Sequence, residues 1–250
     1  MKDIETFLKE NISFDLFPIQ RQIILDIVNG EQSRYNIMLG SRSGKTIIEQ
    51  IIAEYYYQFT NVTWIQSSKY NSEQMINILK NNLNNSECNS ECNNEYKAFK
   101  TILSDKIISE HNTHINLTNS NISILPKDAD IIMFEDYDTL RKSNSRLGVR
   151  SLFDQATLQT FTSNKKLIAF GTPSPKDSDQ LYIHYQWKDD PKYYSAIYNT
   201  WEITPLIKEE QIKEECKFNP DMIYYFDVKR NLKEYEENME LISWKEEELI

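Results

Sequence analysis

The chain alternates short apolar runs with segments whose apolar residues recur at helical spacing. Runs of strand length predict buried strands at 35–39, 62–66, 131–134 and 166–170, and shorter strands at 115–117 and 122–125. Strands that alternate with helices predict an α/β fold, and polar residues gather where several of these strands end. A functional site is therefore expected along the carboxyl edge of the sheet.

The helical segments fall between these strands. One helix is predicted over 14–28, with Pro18 near its first turn, where a missing N–H costs nothing. Another is predicted over 72–83, capped by Asn71 or Ser72. A third follows residue 46, where apolar side chains recur at helical spacing: Ile47, Ile48, Ile51, Ile52, Tyr55 and Phe59.

From about residue 200 the sequence becomes rich in Glu and Lys. The stretches 206–218 and 227–240 predict helices with few strand signals between them. We therefore divide the chain into an α/β core over 1–200 and a small acidic helical lid or linker subdomain over 201–250. A solvated helical tail is the alternative for the second part.

The first predicted strand runs directly into a glycine-containing loop and a helix. The loop consists of Gly40, Ser41, Arg42, Ser43, Gly44, Lys45 and Thr46. Backbone N–H groups in such a loop cradle phosphates, Lys45 reaches the β- and γ-phosphates, and the Thr46 hydroxyl binds Mg²⁺. The usual motif has one more residue, so that Leu39 stands at its first glycine position. A turn without a ligand is the alternative.

Two acids follow the strand 131–134. A phosphate loop needs one carboxylate to hold Mg²⁺ and another to orient the attacking water. Glu135 stands in the metal position and Asp136 in the water-activating position, the reverse of the usual order. Aspartate is the shorter acid, so we expect slow turnover. A strand end with solvated carboxylates is the alternative.

Two further residues fit a nucleotide site. Thr172 follows the strand 166–170 and is predicted to contact the γ-phosphate region. Gln20 follows Pro18, and its amide can both donate to and accept from adenine. A glutamine in a first helical turn is common, so Gln20 alone is weak evidence.

Charge is unevenly distributed. The formal net charge is −10, and residues 201–250 carry 14 acids and 7 bases, which leaves −3 for the first 200 residues. Residues 141–150 hold four bases and no acid, so a local positive patch is possible. Arg141, Lys142, Lys165 and Lys166 are candidates to contact DNA phosphates, or they form solvated surface.

No apolar segment has the length of a membrane span, which predicts a cytoplasmic chain with no membrane partner. Three cysteines suit a reducing compartment. Cys88 and Cys92 are followed by His111 and His114, but this spacing does not fit a zinc site.

Taken in order along the chain, the motifs resemble the ATPase domain of viral, bacteriophage-type large terminase subunits, the motors that package double-stranded DNA. The resemblance rests on Phe17-Pro-Ile-Gln20, the loop 40–46 with its arginine, Trp64-Ile-Gln-Ser-Ser68, Glu135-Asp136, Phe170-Gly-Thr-Pro173 and Trp201-Glu-Ile-Thr-Pro205. It covers nearly the whole chain.

The resemblance implies a P-loop NTPase fold of the RecA-like (ASCE) class, a three-layer sandwich that binds ATP and Mg²⁺. Gln20 would contact adenine, Arg42 would be the arginine typical of terminase phosphate loops, and Thr172 would couple hydrolysis to movement. The implied partners are double-stranded DNA, a portal protein, a small terminase subunit and further copies of the chain in a ring. The ring would work in the host cytoplasm, at the procapsid portal.

Two departures from the family pattern are visible. The usual Arg-Gly element before the acidic strand is missing, so Arg141, Arg146 and Arg150 become candidates for the arginine that reaches a neighbouring subunit's γ-phosphate. No acidic cluster follows Thr172, so we expect no nuclease domain and no DNA cutting by these residues.

Two other functions remain open. The chain could be the first lobe of a superfamily 2 helicase, because Gln20 and the sequence Glu135-Asp136-Tyr137-Asp138 are similar to helicase motifs. It could also be a degenerate nucleotide-binding subunit with a structural role, since its loop is short and its acids are reversed.

Overall fold

A computed structural model describes residues 3–66, 74–79, 99–102, 106–109, 111–119, 124–138, 140, 146–163, 165–174 and 178–247. The predicted caps at Asn71 and Ser72, and the residues Cys88, Cys92, Arg141 and Lys142, lie outside these ranges.

An eight-stranded mixed sheet forms the centre of the molecule. Its strands are β1 (Arg34–Leu39), β2 (Val62–Gln66), β3 (Phe99–Ile102), β4 (Lys106–Ser109), β5 (His114–Asn119), β6 (Ile131–Phe134), β7 (Lys166–Gly171) and β8 (Tyr193–Tyr198). Their spatial order is β3-β4-β5-β2-β6-β7-β1-β8. Strands β5, β2, β6, β7, β1 and β8 are parallel, and β3 and β4 pair in antiparallel fashion.

Helices cover both faces of the sheet. They are α1 (Ile4–Asn11), α2 (Pro18–Asn29), α3 (Lys45–Tyr57), α4 (residues 74–79), α5 (Arg146–Thr162), α6 (Asp179–Trp187), α7 (Thr200–Ile203), α8 (Glu209–Glu215) and α9 (Val228–Glu247), with a 3₁₀ helix at Pro220–Tyr225. Strand side chains alternate between the faces. Trp64 and Met133 pack in one core with Ile52 of α3, whereas Phe134 packs in the other with Phe153 of α5.

The resulting three-layer α/β sandwich confirms the predicted fold class. Strand β7 lies between β6 and β1, so the acidic strand and the strand of the phosphate loop are separated by one strand. Because these strands are parallel, their carboxyl ends meet at the same edge of the sheet. This edge is where the sequence predicts the functional site.

The C-terminal residues are mainly helical and pack against the core. Ile212, Cys216, Ile223 and Phe226 form a small apolar cluster of their own. Val228 of α9 packs with Met38 of β1. The segment therefore lies beside the strand that carries the phosphate loop.

Some predicted elements differ from the structure. The predicted strand 122–125 is wrong for its described residues: Ile124 and Leu125 are outside any strand, and the Ile124 side chain is 72% exposed. The helix predicted over 14–28 begins only at Pro18, because Phe17 has extended backbone as its N-cap. In the described part of the chain, no helix combines the length and the apolarity that a membrane span requires.

Candidate active site

A tight loop joins β1 to α3 at the carboxyl edge of the sheet. Strand β1 ends at Leu39 and α3 begins at Lys45. Arg42 and Gly44 have left-handed backbone conformations, with φ values of 61° and 80°. Glycine adopts this conformation at no steric cost, whereas it is unfavourable for arginine. Since Leu39 belongs to the strand, the loop of this chain begins at Gly40.

The N–H groups of the loop fall into two sets. Gly40 donates to the carbonyl of Tyr198 at 3.0 Å, and Ser41 donates to the carbonyl of Tyr225 at 2.6 Å. Among the described residues, no hydrogen bond uses the N–H groups of residues 42–44. These groups precede the N-terminus of α3, whose first N–H groups also lack helical partners. Such an array is an anion-binding site.

The C-terminal segment holds this loop from outside. The Thr200 hydroxyl donates to the carbonyl of Ser41 at 2.8 Å, and the Thr204 hydroxyl donates to the carbonyl of Arg42 at 3.2 Å. A Cβ atom on Gly40 would lie 2.2 Å from the Thr200 hydroxyl oxygen. Gly40 is therefore needed for the close approach of this segment.

Gln20 supports the loop from the other side. Its Nε2 donates to the carbonyl of Ser43 at 2.8 Å, and its Oε1 accepts from the N–H of Phe17 at 3.0 Å. The side chain is buried, and a Cβ atom on Gly44 would lie 2.4 Å from Nε2. Gln20 thus braces the phosphate loop, and its predicted contact with adenine stays a prediction.

Thr172 connects the three strand ends that form the site. Its hydroxyl donates to the carbonyl of Leu39 at 2.7 Å and accepts from Nζ of Lys45 at 2.6 Å. Its N–H donates to Oδ1 of Asp136 at 3.3 Å. One side chain therefore contacts the strand before the loop and the lysine of the loop, while its backbone contacts the acidic pair.

The acidic pair lies at the end of β6. The N–H of Glu135 donates to the carbonyl of Ile65 at 2.9 Å, which continues the ladder between β6 and β2. Asp136 has a left-handed backbone with φ 46°. Aspartate tolerates this conformation better than most residues, and the turn lets its carboxylate meet Thr172.

Charged groups crowd the space between α3 and β6. Burial lowers the pKa of Lys45, and the charges of Asp136, Glu49 and Glu135 act in the opposite direction. Burial also raises the pKa of Glu49 well above its ordinary value, and Glu135 adds to this shift. Glu49 therefore belongs to the electrostatic environment of the site.

Asp138 has a structural role. Its carboxylate accepts hydrogen bonds from the Ser178 hydroxyl and from the N–H groups of Asp179 and Gln180, at 3.1 and 3.4 Å for the two N–H groups. It is buried and caps the N-terminus of α6. This accounts for the residue that suggested a helicase-like acidic box.

The residues present fit a magnesium ion. Mg²⁺ prefers oxygen ligands, and it is commonly held by one or two carboxylates together with substrate phosphates and water. The Thr46 hydroxyl and the Glu135 carboxylate supply such oxygens, and Thr46 lies in the first turn of α3. No three acidic, histidine or cysteine side chains in the described ranges form a direct metal cluster, so phosphate and water would complete the coordination.

Other predicted residues lie apart from this cluster. The Arg42 side chain is exposed, and Arg146 and Arg150 lie in the first turns of α5, with side chains outside the described part. Lys165 donates to the carbonyl of Lys127 at 2.7 Å.

Lys166 is also bound within the fold. It donates to the carbonyls of Ile27 and Gly30, at 2.8 Å each, at the end of α2. Burial lowers its pKa to about 8. The observed role of Lys166 is therefore to cap a helix.

Sequence reasoning missed Glu49, Thr200 and Thr204. Glu49 could have been found, because it interrupts an apolar helix four residues after Lys45. Nothing near residues 200–204 signals contact with residues 41–42, since that contact depends on the tertiary fold.

The fold is that of phage large terminase ATPase domains, which belong to the RecA-like P-loop class. The chain is similar to the ATPase domain of the Thermus phage P74-26 large terminase, with a TM-score of 0.65 and 12% identity over 90% of this chain and 97% of that domain. A mutant of the same domain gives a TM-score of 0.66 at 11% identity, with the same coverage of both chains.

The large terminase of another thermophilic bacteriophage is also similar. Its TM-score is 0.58 at 12% identity, over 85% of this chain and 52% of that protein, so the chain spans about half of it. A structure of that terminase with ATP-γ-S gives a TM-score of 0.51 at 13% identity, over 81% of this chain and 49% of that protein. No protein-family profile and no curated protein matches the sequence.

Proposed function

We propose that this chain is the ATP-hydrolysing motor domain of a viral DNA-packaging terminase, which moves double-stranded DNA into a procapsid. The observation that carries the proposal is the junction at Thr172. It brings Lys45 of the phosphate loop and Asp136 of the acidic pair to one residue at the carboxyl edge of the sheet.

The phosphate loop would bind the nucleotide. The N–H groups of residues 42–44 and the positive N-terminus of α3 favour phosphate oxygens. Lys45 would exchange its hydrogen bond with Thr172 for the β- and γ-phosphates. The ATP-γ-S complex of the similar bacteriophage terminase supports ATP as the ligand.

The acidic pair would act on water and metal. Thr46 and Glu135 would hold Mg²⁺, which when bound neutralises charge on the phosphates. Asp136 would orient the attacking water, and its hydrogen bond from the N–H of Thr172 fixes the carboxylate. Arg42, whose exposed side chain borders the loop, would contact phosphate, in this subunit or a neighbouring one.

A portal protein, a small terminase subunit and a homo-oligomeric ring in the host cytoplasm are further parts of the proposal. They are supported by the similarity of fold to large terminases.

Triplex displacement tests the translocation step. A motor that moves along intact duplex DNA should release a third strand in an ATP-dependent manner, and Asp136→Asn should abolish the release. The same protein should leave the strands of a forked duplex paired. Strand separation without triplex release would support a helicase instead, and tight ATP binding without hydrolysis or movement would support a structural subunit.

A further inference from the structure

Glu49 is a buried carboxylate that the hydrolysis scheme above does not use. It lies on α3 one turn beyond Lys45, so both residues lie on the same side of the helix. Its exposure is 0%, and both carboxylate oxygens lack a hydrogen-bond partner. Buried polar groups in native proteins are nearly always hydrogen-bonded, so two such oxygens require a specific reason.

The surroundings of Glu49 identify the region it faces. The charges that act on its carboxyl group are those of Glu135, Lys45 and Asp136, with Glu135 first. These are the metal position, the loop lysine and the water-orienting acid of the proposed site. Glu49 is therefore close to the reacting end of the site, although it approaches from beneath the loop.

A second orphaned side chain lies on the same side of the sheet. Ile65 of β2 pairs with Phe134 of β6, so the next residue on each strand, Gln66 and Glu135, lie level with each other. Alternation places Gln66 on the face of Trp64, which packs with α3. Gln66 is fully buried, and neither atom of its amide has a partner.

We propose that Glu49 is an additional carboxylate of the magnesium site, which accepts hydrogen bonds from water bound to Mg²⁺ when the loop holds a nucleotide. Gln66 completes the hydrogen bonding of this water from β2. This inference rests on the proposed nucleotide-binding function. It also gives the site a second anionic group behind Glu135, which suits a chain whose acidic pair is reversed.

The test is the Mg²⁺ dependence of nucleotide binding. The parent chain and Glu49→Gln are each titrated with MgCl₂ at fixed ADP, and ADP binding is measured by calorimetry. Loss of an outer-shell partner typically weakens a metal site 10- to 100-fold, so we expect the half-saturating Mg²⁺ concentration to rise about tenfold. ADP affinity in EDTA should stay within about twofold of the parent.

Glu54→Gln is the matched control. Glu54 lies on the same helix and the substitution removes the same charge, but its Oε1 accepts from Gln50 at 2.9 Å. Its Mg²⁺ dependence should equal that of the parent. Mn²⁺ bound to the ADP complex, followed by electron paramagnetic resonance, gives a second readout that does not require hydrolysis.

Stability separates a structural role from the proposed one. Glu49→Gln removes an unpaired buried carboxylate, so it should unfold at the same urea concentration as the parent or a higher one. If it does not fold, Glu49→Asp carries the test, and the retained but shorter carboxylate should shift the Mg²⁺ dependence by about threefold.

A half-saturating Mg²⁺ concentration within twofold of the parent in the folded variant overturns the role of Glu49. If the parent itself binds no ADP with or without Mg²⁺, the proposed function fails along with it. A parent that binds Mg²⁺ and ADP beside an unchanged variant contradicts only the inference about Glu49.

Discussion

Thr172→Val removes the hydroxyl that joins the phosphate loop to β1 and leaves the shape of the side chain nearly unchanged. Two hydrogen bonds are lost in the nucleotide-free protein, one to the carbonyl of Leu39 and one from the Lys45 ammonium group. A neutral hydrogen bond contributes about 1 kcal/mol to stability and one to a charged group about 1.5 to 3 kcal/mol. We therefore expect the free energy of unfolding to fall by about 2.5 to 4 kcal/mol, less if Lys45 turns to a carboxylate.

Thr172→Ser is the control for this prediction. It keeps the hydroxyl and removes one methyl group, so the expected loss is about 0.8 kcal/mol. Urea denaturation in the absence of nucleotide measures both variants against the parent. Equal stabilities of the valine and serine variants, within about 0.5 kcal/mol, would refute the role of the hydroxyl, since hydrogen bonding is the main difference between them.

Three further predictions concern the supports of the site. Gly40→Ala places a Cβ atom 2.7 Å from the Thr200 nitrogen, a backbone atom that must shift, so overpacking should cost about 1 to 3 kcal/mol in thermal or urea unfolding. Asp138→Ala leaves the first N–H groups of α6 and the Ser178 hydroxyl without their buried acceptor, and the expected loss in urea denaturation is about 2 to 4 kcal/mol. Burial lowers the pKa of His184 from 6.5, so the unfolded state binds more protons and stability falls as the pH drops below 6.5. The decline between about pH 7 and 5 should be shallower in His184→Gln, and an unchanged slope would contradict this assignment.

The strands next to the site could be predicted from the sequence because they are continuous apolar runs. Strands β2 and β6 have the predicted bounds, while β1 and β7 are each longer by one residue. A buried parallel strand needs apolar side chains on both faces, and this leaves a strong local signal.

Strand β8 was missed because it lies at the edge of the sheet. Tyr193 and Tyr194 are half-buried, and the strand shows neither a continuous apolar run nor a clear alternation. Its pairing with β1 depends on long-range contacts that no local pattern reports.

The residues of the site were predictable as chemistry, but their hydrogen bonds were not. The loop, the acidic pair and Thr172 follow strands at one edge, so topology brings them together. The anchoring of Ser41 by Tyr225 and Thr200 joins parts of the chain far apart in sequence. Glu49 was hidden for a different reason, since a glutamate on a helix ordinarily faces solvent.

Single-turnover hydrolysis of ATP in the presence of Mg²⁺ and duplex DNA tests the central claim most directly. The parent chain should release phosphate, Lys45→Ala should lose nucleotide binding, and Asp136→Asn should bind ATP without cleaving it. Lys9→Ala, a change on the exposed face of α1, should match the parent. Equal hydrolysis by the parent and Lys45→Ala, or ATP binding unaffected by the loss of Lys45, would contradict the assignment of this loop as the nucleotide site.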